Sequence, residues 1–248
     1  MIRLAERHVE VVLLDIEGTT TPIAFVHDVL FPFAQAHLVP YLEDRRHASE
    51  VAEVFDRLSN EHADDVARGL FPPPRQFRDE WERRVWIASY ARWLMDLDRK
   101  SPGLKLLQGY IWEEGYQAGL LHGLVFDDVP DAMRRWRAAG IDIAIYSSGS
   151  ELAQRRLFES TRHGDLSGLL ARFFDTSVGA KVEAGSYHRI AAELGRRPES
   201  MLFVSDVVVE LAAARAAGLQ VLLSLRPGNA PQASDGCEAI HTFDQIAV

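Results

Sequence analysis

Residues 11–20 read Val-Val-Leu-Leu-Asp-Ile-Glu-Gly-Thr-Thr, and this stretch decides the fold. Four apolar residues followed by a turn signal at Gly18 predict a central strand covered on both faces. Ligands of open α/β sheets bind outside the carboxyl ends of such strands, which is where Asp15 and Glu17 stand. Their i, i+2 spacing predicts that both carboxylates leave an extended backbone on the same face and share one metal or substrate. The alternative, two acids that merely solvate a strand end, is the commoner meaning of an isolated Asp-x-Glu.

Length, charge and cysteine content narrow the function classes. The chain has 248 residues, 47% of them hydrophobic, which is enough for one large domain or for a core with an inserted subdomain. Its formal net charge of -9 disfavours nucleic acid as a partner and favours a small molecule. The single cysteine, Cys237, excludes an internal disulfide and receives no role.

The N-terminus and the hydropathy of the chain bear on its location. No segment approaches the ~18 apolar residues that a membrane-spanning helix needs. Charged residues stand at positions 3, 6, 7 and 10, where a signal peptide requires an uninterrupted apolar stretch. We therefore expect a cytoplasmic protein with no membrane partner.

Three helix–glycine–strand units recur beyond residue 120. The helices are predicted to end at Gly140, Gly195 and Gly218, and short apolar strands follow. These strands are predicted at 141–146, 201–204 and 219–223, and the first strand, at 9–14, belongs to the same sheet. Such alternation implies parallel strands joined by right-handed crossovers. The predicted fold class is therefore α/β, a doubly wound parallel sheet formed by residues 1–20 and 124–248.

Residues 21–123 have a different character. They carry four of the five tryptophans and helical patterning, with no convincing strand. Consecutive prolines predict a loop at 71–75, because proline cannot continue a helix. We interpret the segment as a helical insertion whose tryptophans pack its own core.

Each predicted strand end carries polar residues. Ser147 and Ser148 offer hydroxyls and free N–H groups that suit a phosphate, although Ser148 with Glu151 also has the spacing of a capping box. Lys181 could supply the fixed cation that phosphoryl transfer needs, or could simply be solvated. Asp206 could cap the next helix, or could be a third carboxylate of a hard-cation site with Asp15 and Glu17. An acid, a hydroxyl, a lysine and an acid at successive strand ends favour the functional interpretation.

Taken together, these motifs resemble those of the haloacid dehalogenase superfamily of phosphotransferases. The resemblance is carried by Asp15-x-Glu17-Gly18-Thr19-Thr20, by Ser147, by Lys181 and by Ser205-Asp206. Four longer blocks resemble the enolase-phosphatases of methionine salvage more specifically, and they are residues 14–26, 105–109, 146–150 and 226–229. The first block is the most specific, because these enzymes carry Glu where the wider superfamily usually carries Asp.

The resemblance implies a helical cap, residues 21–123, that closes over the sheet end. It implies conversion of 2,3-diketo-5-methylthiopentyl 1-phosphate, by enolisation and dephosphorylation, to the acireductone 1,2-dihydroxy-3-keto-5-methylthiopentene. One Mg²⁺ per subunit is the implied cofactor, held by Asp15, Glu17 and Asp206, and we expect a monomer. In this scheme Asp15 is the nucleophile and Glu17 handles protons.

The same scheme assigns the remaining strand-end residues to the phosphate. Ser147 and Ser148 orient it and Lys181 balances its charge. Two alternatives stay open. One is another capped phosphatase of the superfamily, acting on a sugar or nucleotide monophosphate. The other is a phospho-accepting receiver module, which the roughly 100-residue insertion after the first strand disfavours.

Overall fold

The computed structural model describes residues 1–97, 99 and 101–248, which form two compact units. One unit contains residues 1–28 and 121–248, and the other contains residues 29–120. The sequence suggested boundaries at 20/21 and 123/124. In the structure, residues 21–28 belong with the first unit, where Thr21 donates its N–H to Ile16 O and pairs with Glu17.

The first unit is built on a six-stranded parallel sheet. Its strands are β2 (Val11–Leu14), β3 (Asp142–Tyr146), β4 (Arg172–Phe174), β5 (Met201–Ser205), β6 (Gln220–Ser224) and β7 (Ala239–Ile240). Their order in the sheet is β4-β3-β2-β5-β6-β7. All four residues of β2 are fully buried and lie between β3 and β5, with Leu14 opposite Ile145 and Val204. The predicted central strand is confirmed, although it begins two residues later than expected.

Helices cover both faces of this sheet, as a doubly wound fold requires. They are α6 (Val129–Ala138), α7 (Glu151–Glu159), α8 (Ala184–Leu194) and α9 (Val208–Ala216). Alternate strand residues such as Leu13 and Phe203 pack with Tyr187 of α8 and Leu211 of α9 in one core cluster. The intervening strand residues are also fully buried, because α6 lies against β3. Gly195, which ends α8, has φ +64, a conformation that favours glycine.

A second, two-stranded sheet joins the chain ends. Here β1 (Ile2–Arg3) runs parallel to β8 (Ile246–Ala247). The sequence patterns assigned no range to β4, and they predicted neither these strands nor β7. Two-residue strands are too short for periodicity to reveal.

The second unit contains helices and connecting loops throughout its described residues. Helix α1 (Ile23–Phe25) precedes this unit, and a π-helical turn (Val26–Leu30) spans its first residues. Its α-helices are α2 (Phe31–Glu43), α3 (Ala48–Ala67), α4 (Glu80–Asp96) and α5 (Pro102–Gln117). The predicted proline loop at 71–75 is present between α3 and α4.

The aromatic side chains of the helical unit form much of its core, but one tryptophan does not. Trp86 and Trp112 are buried, whereas Trp81 is 64% exposed, so the expectation that all these tryptophans are core residues is wrong. Asp65 is a buried carboxylate within the helical unit. Tyr90 Oη and an Arg99 guanidinium nitrogen each donate to Asp65, both at 2.7 Å. These bonds satisfy a carboxylate that is almost wholly buried.

One helical stretch among the described residues, Ile23–Glu43, is long and apolar enough to cross a membrane by length and composition alone. By that criterion the expectation that no segment approaches a spanning helix is wrong. Core helices pass the same test. Within the helical unit, α2 contacts α4 and α5 and buries Ala34, Leu38, Tyr41 and Leu42.

Candidate active site

Four of the predicted site residues follow four neighbouring strands of the sheet. Asp15 comes directly after β2, Ser147 directly after β3 and Asp206 directly after β5, while Lys181 lies in the connection from β4 to α8. Because parallel strands end at the same edge, these residues share the carboxyl edge of the sheet.

Both oxygens of the Asp15 carboxylate are held by neighbouring groups. Oδ1 accepts from the backbone N–H of Ile16 at 2.7 Å and lies 2.7 Å from Lys181 Nζ. Oδ2 lies 3.1 Å from Ser205 Oγ. The side chain is 6% exposed, so this geometry is fixed before any ligand arrives. Such a carboxylate is oriented as a nucleophile must be.

Lys181 bridges two carboxylates at this edge. Its Nζ lies 2.7 Å from Asp15 Oδ1 and 2.7 Å from Glu210 Oε2. Burial lowers the pKa of Lys181, but the charges of the two acids more than offset this, so its pKa is raised and it stays an ammonium. Tyr187 Oη donates to Lys181 O at 2.7 Å, which fixes the backbone that presents the ammonium.

Glu210 is a site residue for which the sequence analysis assigned no role. It lies in the first turn of α9, and its carboxylate is also 3.1 Å from Ser205 Oγ. That hydroxyl stands at equal distance from Asp15 and Glu210 and has one proton, so it donates to one of them at a time. Burial and the Asp15 charge raise the pKa of Glu210. The available signal was its spacing, because a residue four positions after Asp206 on a following helix turns back toward the strand end.

Asp206 is buried at the end of β5 and does not cap the next helix. The N-cap of α9 is Val207, without a side-chain capping bond, so the capping alternative for Asp206 is wrong. Burial, followed by repulsion from Asp15, raises the pKa of Asp206 to about 7. A Cβ built on Gly18 would lie only 2.6 Å from the Asp206 carboxylate carbon, so this acid packs directly against the loop that follows Asp15.

The structure changes the expected relation between Asp15 and Glu17. The strand ends at Leu14, the chain bends at Ile16, and Glu17 forms an isolated bridge with Thr21 while its side chain is exposed. The expectation that one extended strand carries both carboxylates is therefore wrong. The alternation of a strand does not continue past its last hydrogen-bonded residue.

The oxygen donors near Asp15 suit a hard cation, although not as three side chains. Within residues 1–97, 99 and 101–248, no three His, Cys, Asp or Glu side chains are grouped closely enough to hold a metal ion, so the expected set of three carboxylates is not assembled. Asp15 and Asp206 remain as two buried carboxylates on adjacent strand ends. Burial is the larger cause of the raised pKa of Asp206 and repulsion from Asp15 is the second, and a divalent cation would relieve that repulsion.

Ser147 occupies a tightly hydrogen-bonded loop after β3. It is buried, its N–H donates to Phe174 O at 3.1 Å, and its Oγ accepts from Gly149 N at 3.2 Å. Gln154 of α7 donates its amide to Gly149 O and Phe174 O, at 2.8 and 2.9 Å, so it supports the same loop. No sequence signal pointed to Gln154.

Ser148 is partly exposed on this loop. The residue that caps α7 is Ser150, whose Oγ accepts from Ala153 N at 3.2 Å. The capping box predicted for Ser148 and Glu151 is therefore wrong, because Ser150 takes that place. Three serines lie within four positions, and spacing alone does not distinguish which of them caps the helix.

Comparison with known proteins identifies the family. A family model for haloacid dehalogenase-like hydrolases matches residues 9–218. Enolase-phosphatase E1 of Synechococcus elongatus is 48% identical over 236 residues, which cover 94% of this chain and 96% of that protein. Enolase-phosphatase E1 of Drosophila melanogaster is 44% identical over 247 residues, which cover 98% of this chain and 94% of that protein.

A solved structure agrees with these sequence matches. The crystal structure of the UTR4 protein from Saccharomyces cerevisiae has a TM-score of 0.74 and 32% identity, and the match covers 95% of this chain and 99% of that one. Because all these matches extend over nearly the full chain, they include the helical unit as well as the α/β unit. The resemblance inferred from the motifs is confirmed, and the chain belongs to the haloacid dehalogenase-like hydrolases and, among them, to the enolase-phosphatase E1 family.

Proposed function

We propose that this protein is a Mg²⁺-dependent enolase-phosphatase of methionine salvage. Its substrate is 2,3-diketo-5-methylthiopentyl 1-phosphate, and its product is the acireductone 1,2-dihydroxy-3-keto-5-methylthiopentene. Full-length similarity to enolase-phosphatases supports this activity. The observation that carries the mechanism is the buried Asp15 carboxylate, fixed at the end of the central strand by Ser205, Lys181 and the Ile16 N–H.

Hydrolysis proceeds in two displacements at phosphorus. In the first, an Asp15 oxygen forms a bond to phosphorus, the ester P–O bond breaks, and the departing enol oxygen takes a proton from Glu17. In the second, water attacks the phosphorus, gives a proton to Glu17 and releases inorganic phosphate, which regenerates the Asp15 carboxylate. Covalent catalysis thus divides one difficult hydrolysis into two easier steps.

The charged and polar groups around Asp15 complete this proposal. Lys181 balances charge on the phosphoryl oxygens, and Ser147 and Ser148 orient them with the N–H groups at the start of α7. Asp15, Asp206 and the backbone carbonyl of Glu17 would hold Mg²⁺. When bound, the cation neutralises charge between the attacking carboxylate and the phosphoryl group and polarises the substrate carbonyl.

The helical segment has the role of a cap in this proposal, and the protein works as a cytoplasmic monomer.

Enolisation needs a base near the carbon beside the carbonyl, but it needs no attack on phosphorus. The two reactions should therefore separate when Asp15 is changed.

The test follows ultraviolet absorbance and free phosphate together, for the wild type and for Asp15→Asn, with saturating Mg²⁺. The wild type should release phosphate, and chelation should stop the release. Asp15→Asn should lose phosphate release by about 10⁴-fold or more, while the absorbance of the enol phosphate still rises. Retention of more than a tenth of wild-type phosphate release by the folded variant would contradict the assignment of Asp15. A panel of sugar and nucleotide monophosphates completes the test, because faster turnover of any of them would favour a different capped phosphatase.

A further inference from the structure

The loop that carries Glu17 follows β2, and it is held by side chains at and after the end of β6, two strands away in the sheet. Two consecutive carbonyl groups, those of Gly18 and Thr19, accept hydrogen bonds from the last residue of β6 and from the segment that follows it. Asn229 Nδ2 donates to Gly18 O at 2.9 Å and Ser224 Oγ donates to the same oxygen at 3.1 Å. Arg226 Nε donates to Thr19 O at 3.1 Å. We call Ser224, Arg226 and Asn229 the carbonyl clamp.

Each member of the clamp is itself fixed. Asn229 also donates to Ser224 O at 3.2 Å, so two carbonyl acceptors determine the orientation of its amide. Arg226 donates to Asp128 at 2.8 Å and to His241 O at 3.0 Å. Its guanidinium also lies between two aromatic rings, those of Phe126 and Phe243, each 4.6 Å away. All three side chains belong to the α/β unit, and Ser224 is fully buried at the end of β6.

Gly18 follows Glu17 in the chain and is bonded directly to the clamp. Gly18 has φ +68, its N–H donates to Thr21 O at 2.8 Å, and its C=O is held by the clamp. On the other side of Glu17, Ile16 O accepts the N–H groups of Thr19, Thr20 and Thr21. The backbone is therefore fixed on both sides of Glu17, although no clamp residue needs to touch its side chain.

We propose that Ser224 and Asn229, supported by Arg226, are positioning residues that aim Glu17 at the water that hydrolyses the aspartyl phosphate. This inference rests on the proposed function, in which Glu17 handles the proton. Asp15 is held by a separate set of contacts, from Ser205, Lys181 and Ile16 N. At saturating Mg²⁺, which offsets any weakening of a metal site at the Glu17 carbonyl, loss of the clamp should therefore impair proton transfer more than the attack of Asp15 on phosphorus.

Two phosphate esters distinguish these steps. Full turnover of the diketone phosphate needs a base for the water that hydrolyses the aspartyl phosphate, whereas the first release of 4-nitrophenolate needs no proton transfer. For 4-nitrophenyl phosphate the first turnover is measured, because it reports only the attack of Asp15 and precedes the Glu17-assisted hydrolysis of the aspartyl phosphate. All reactions are run at saturating Mg²⁺.

The variants are chosen to remove donors with little change in volume. Asn229→Leu removes the amide, and Ser224→Ala removes the second donor to the same carbonyl. Gln220→Leu is the matched control, because Gln220 stands at the other end of β6 and its amide also donates to two backbone carbonyls, those of Arg7 and Glu199. Glu17→Gln provides the reference pattern for loss of the proton-transferring group.

Asn229→Leu should lower kcat for the diketone phosphate by about 10- to 100-fold, with KM changed less than about twofold, because misplacement by about 1 Å costs up to about 100-fold. Its first-turnover release of 4-nitrophenolate should stay within about threefold of the wild type. Ser224→Ala should show the same pattern with a smaller loss, and it decides the question if Asn229→Leu does not fold. Gln220→Leu should match the wild type with both esters.

The inference would be overturned if Asn229→Leu and Ser224→Ala lost equal activity with the two esters. It would also be overturned if only KM changed, or if no activity was lost. It would also be overturned if Glu17→Gln affected both esters alike. Failure of the proposed function gives a different result. If the wild type hydrolyses ribose 5-phosphate but not the diketone phosphate, the substrate assignment is wrong. The clamp is then tested by the same comparison, with ribose 5-phosphate in place of the diketone phosphate.

Discussion

Replacement of Lys181 by methionine tests the charge arrangement of the site. The methionine keeps the length and apolar part of the side chain and removes its ammonium. In the wild type that ammonium lies 2.7 Å from both Asp15 and Glu210, and its side chain is 8% exposed. Lys181→Met therefore leaves two buried carboxylates that face each other with no cation between them.

The size of the effect follows from this burial. Removal of one partner from a buried ion pair costs about 3–5 kcal/mol, because the remaining charge is desolvated and uncompensated. For a chain of this length that loss corresponds to a fall in the melting temperature of roughly 6–20 °C. Phosphate release should fall by about 10²- to 10³-fold, which is the usual effect of removing one group that stabilises transition-state charge.

The melting temperatures are measured by thermal unfolding with a chelator present, so that bound cations do not affect them. Adding Glu210→Gln to Lys181→Met should raise the melting temperature again, because it removes one of the uncompensated carboxylates. Arg57→Met is the control, since its ion pair with Glu53 is about half exposed and should contribute less than ~1 kcal/mol. The reasoning is refuted if Lys181→Met melts with the wild type, or if Glu210→Gln lowers its melting temperature further.

Two further predictions concern the metal and pH. Asp206→Asn should raise the Mg²⁺ concentration that gives half-maximal phosphate release, because one of two buried carboxylates loses its charge; an unchanged concentration would contradict this. Burial raises the pKa of Asp142, but hydrogen bonds from Arg137 and Arg196 more than offset it, so its pKa is lowered. Its contribution to stability is therefore full above the unfolded-state pKa of about 3.9 and is lost as pH falls through the lower folded-state pKa. Asp142→Asn should lower the melting temperature at pH 7 and flatten its dependence on pH below about 4, and parallel melting curves across that range would exclude this.

The sequence predicted the sheet well because its signals are strong and local. Four buried apolar residues before Asp15 can only be a covered strand or a helix segment, and the turn signal at Gly18 decides between them. The helix ends at Gly140, Gly195 and Gly218 are visible because each glycine adopts a positive φ that other residues avoid. Strand limits at 142–146, 201–205 and 220–224 then fall within one residue of prediction.

The site could be predicted only in part, because its remaining members depend on contacts between distant elements. Glu210 meets Lys181 through the packing of α9 beside β5, and no pattern in one segment encodes that meeting. Asn229 and Gly18 are 211 positions apart and meet because β6 lies two strands from β2. The error at Glu17 had a different source, since strand alternation was extended beyond the residue at which the strand ends.

The charge of the described site favours binding of a cation before the phosphate. Asp15, Asp206 and Glu210 are buried or nearly so and bring three carboxylates to one sheet edge, whereas Lys181 brings one ammonium. That ammonium already lies between two of the acids, so it offsets their charge before any substrate arrives. A phosphate dianion that entered this environment would meet a net negative charge in a region of low dielectric, where repulsion is strongest. In the proposed mechanism a divalent cation held by Asp15 and Asp206 would offset that charge, so that Lys181 could interact with the phosphoryl oxygens and Asp15 could approach phosphorus. The acids that repel phosphate alone would then favour phosphate that enters after the metal.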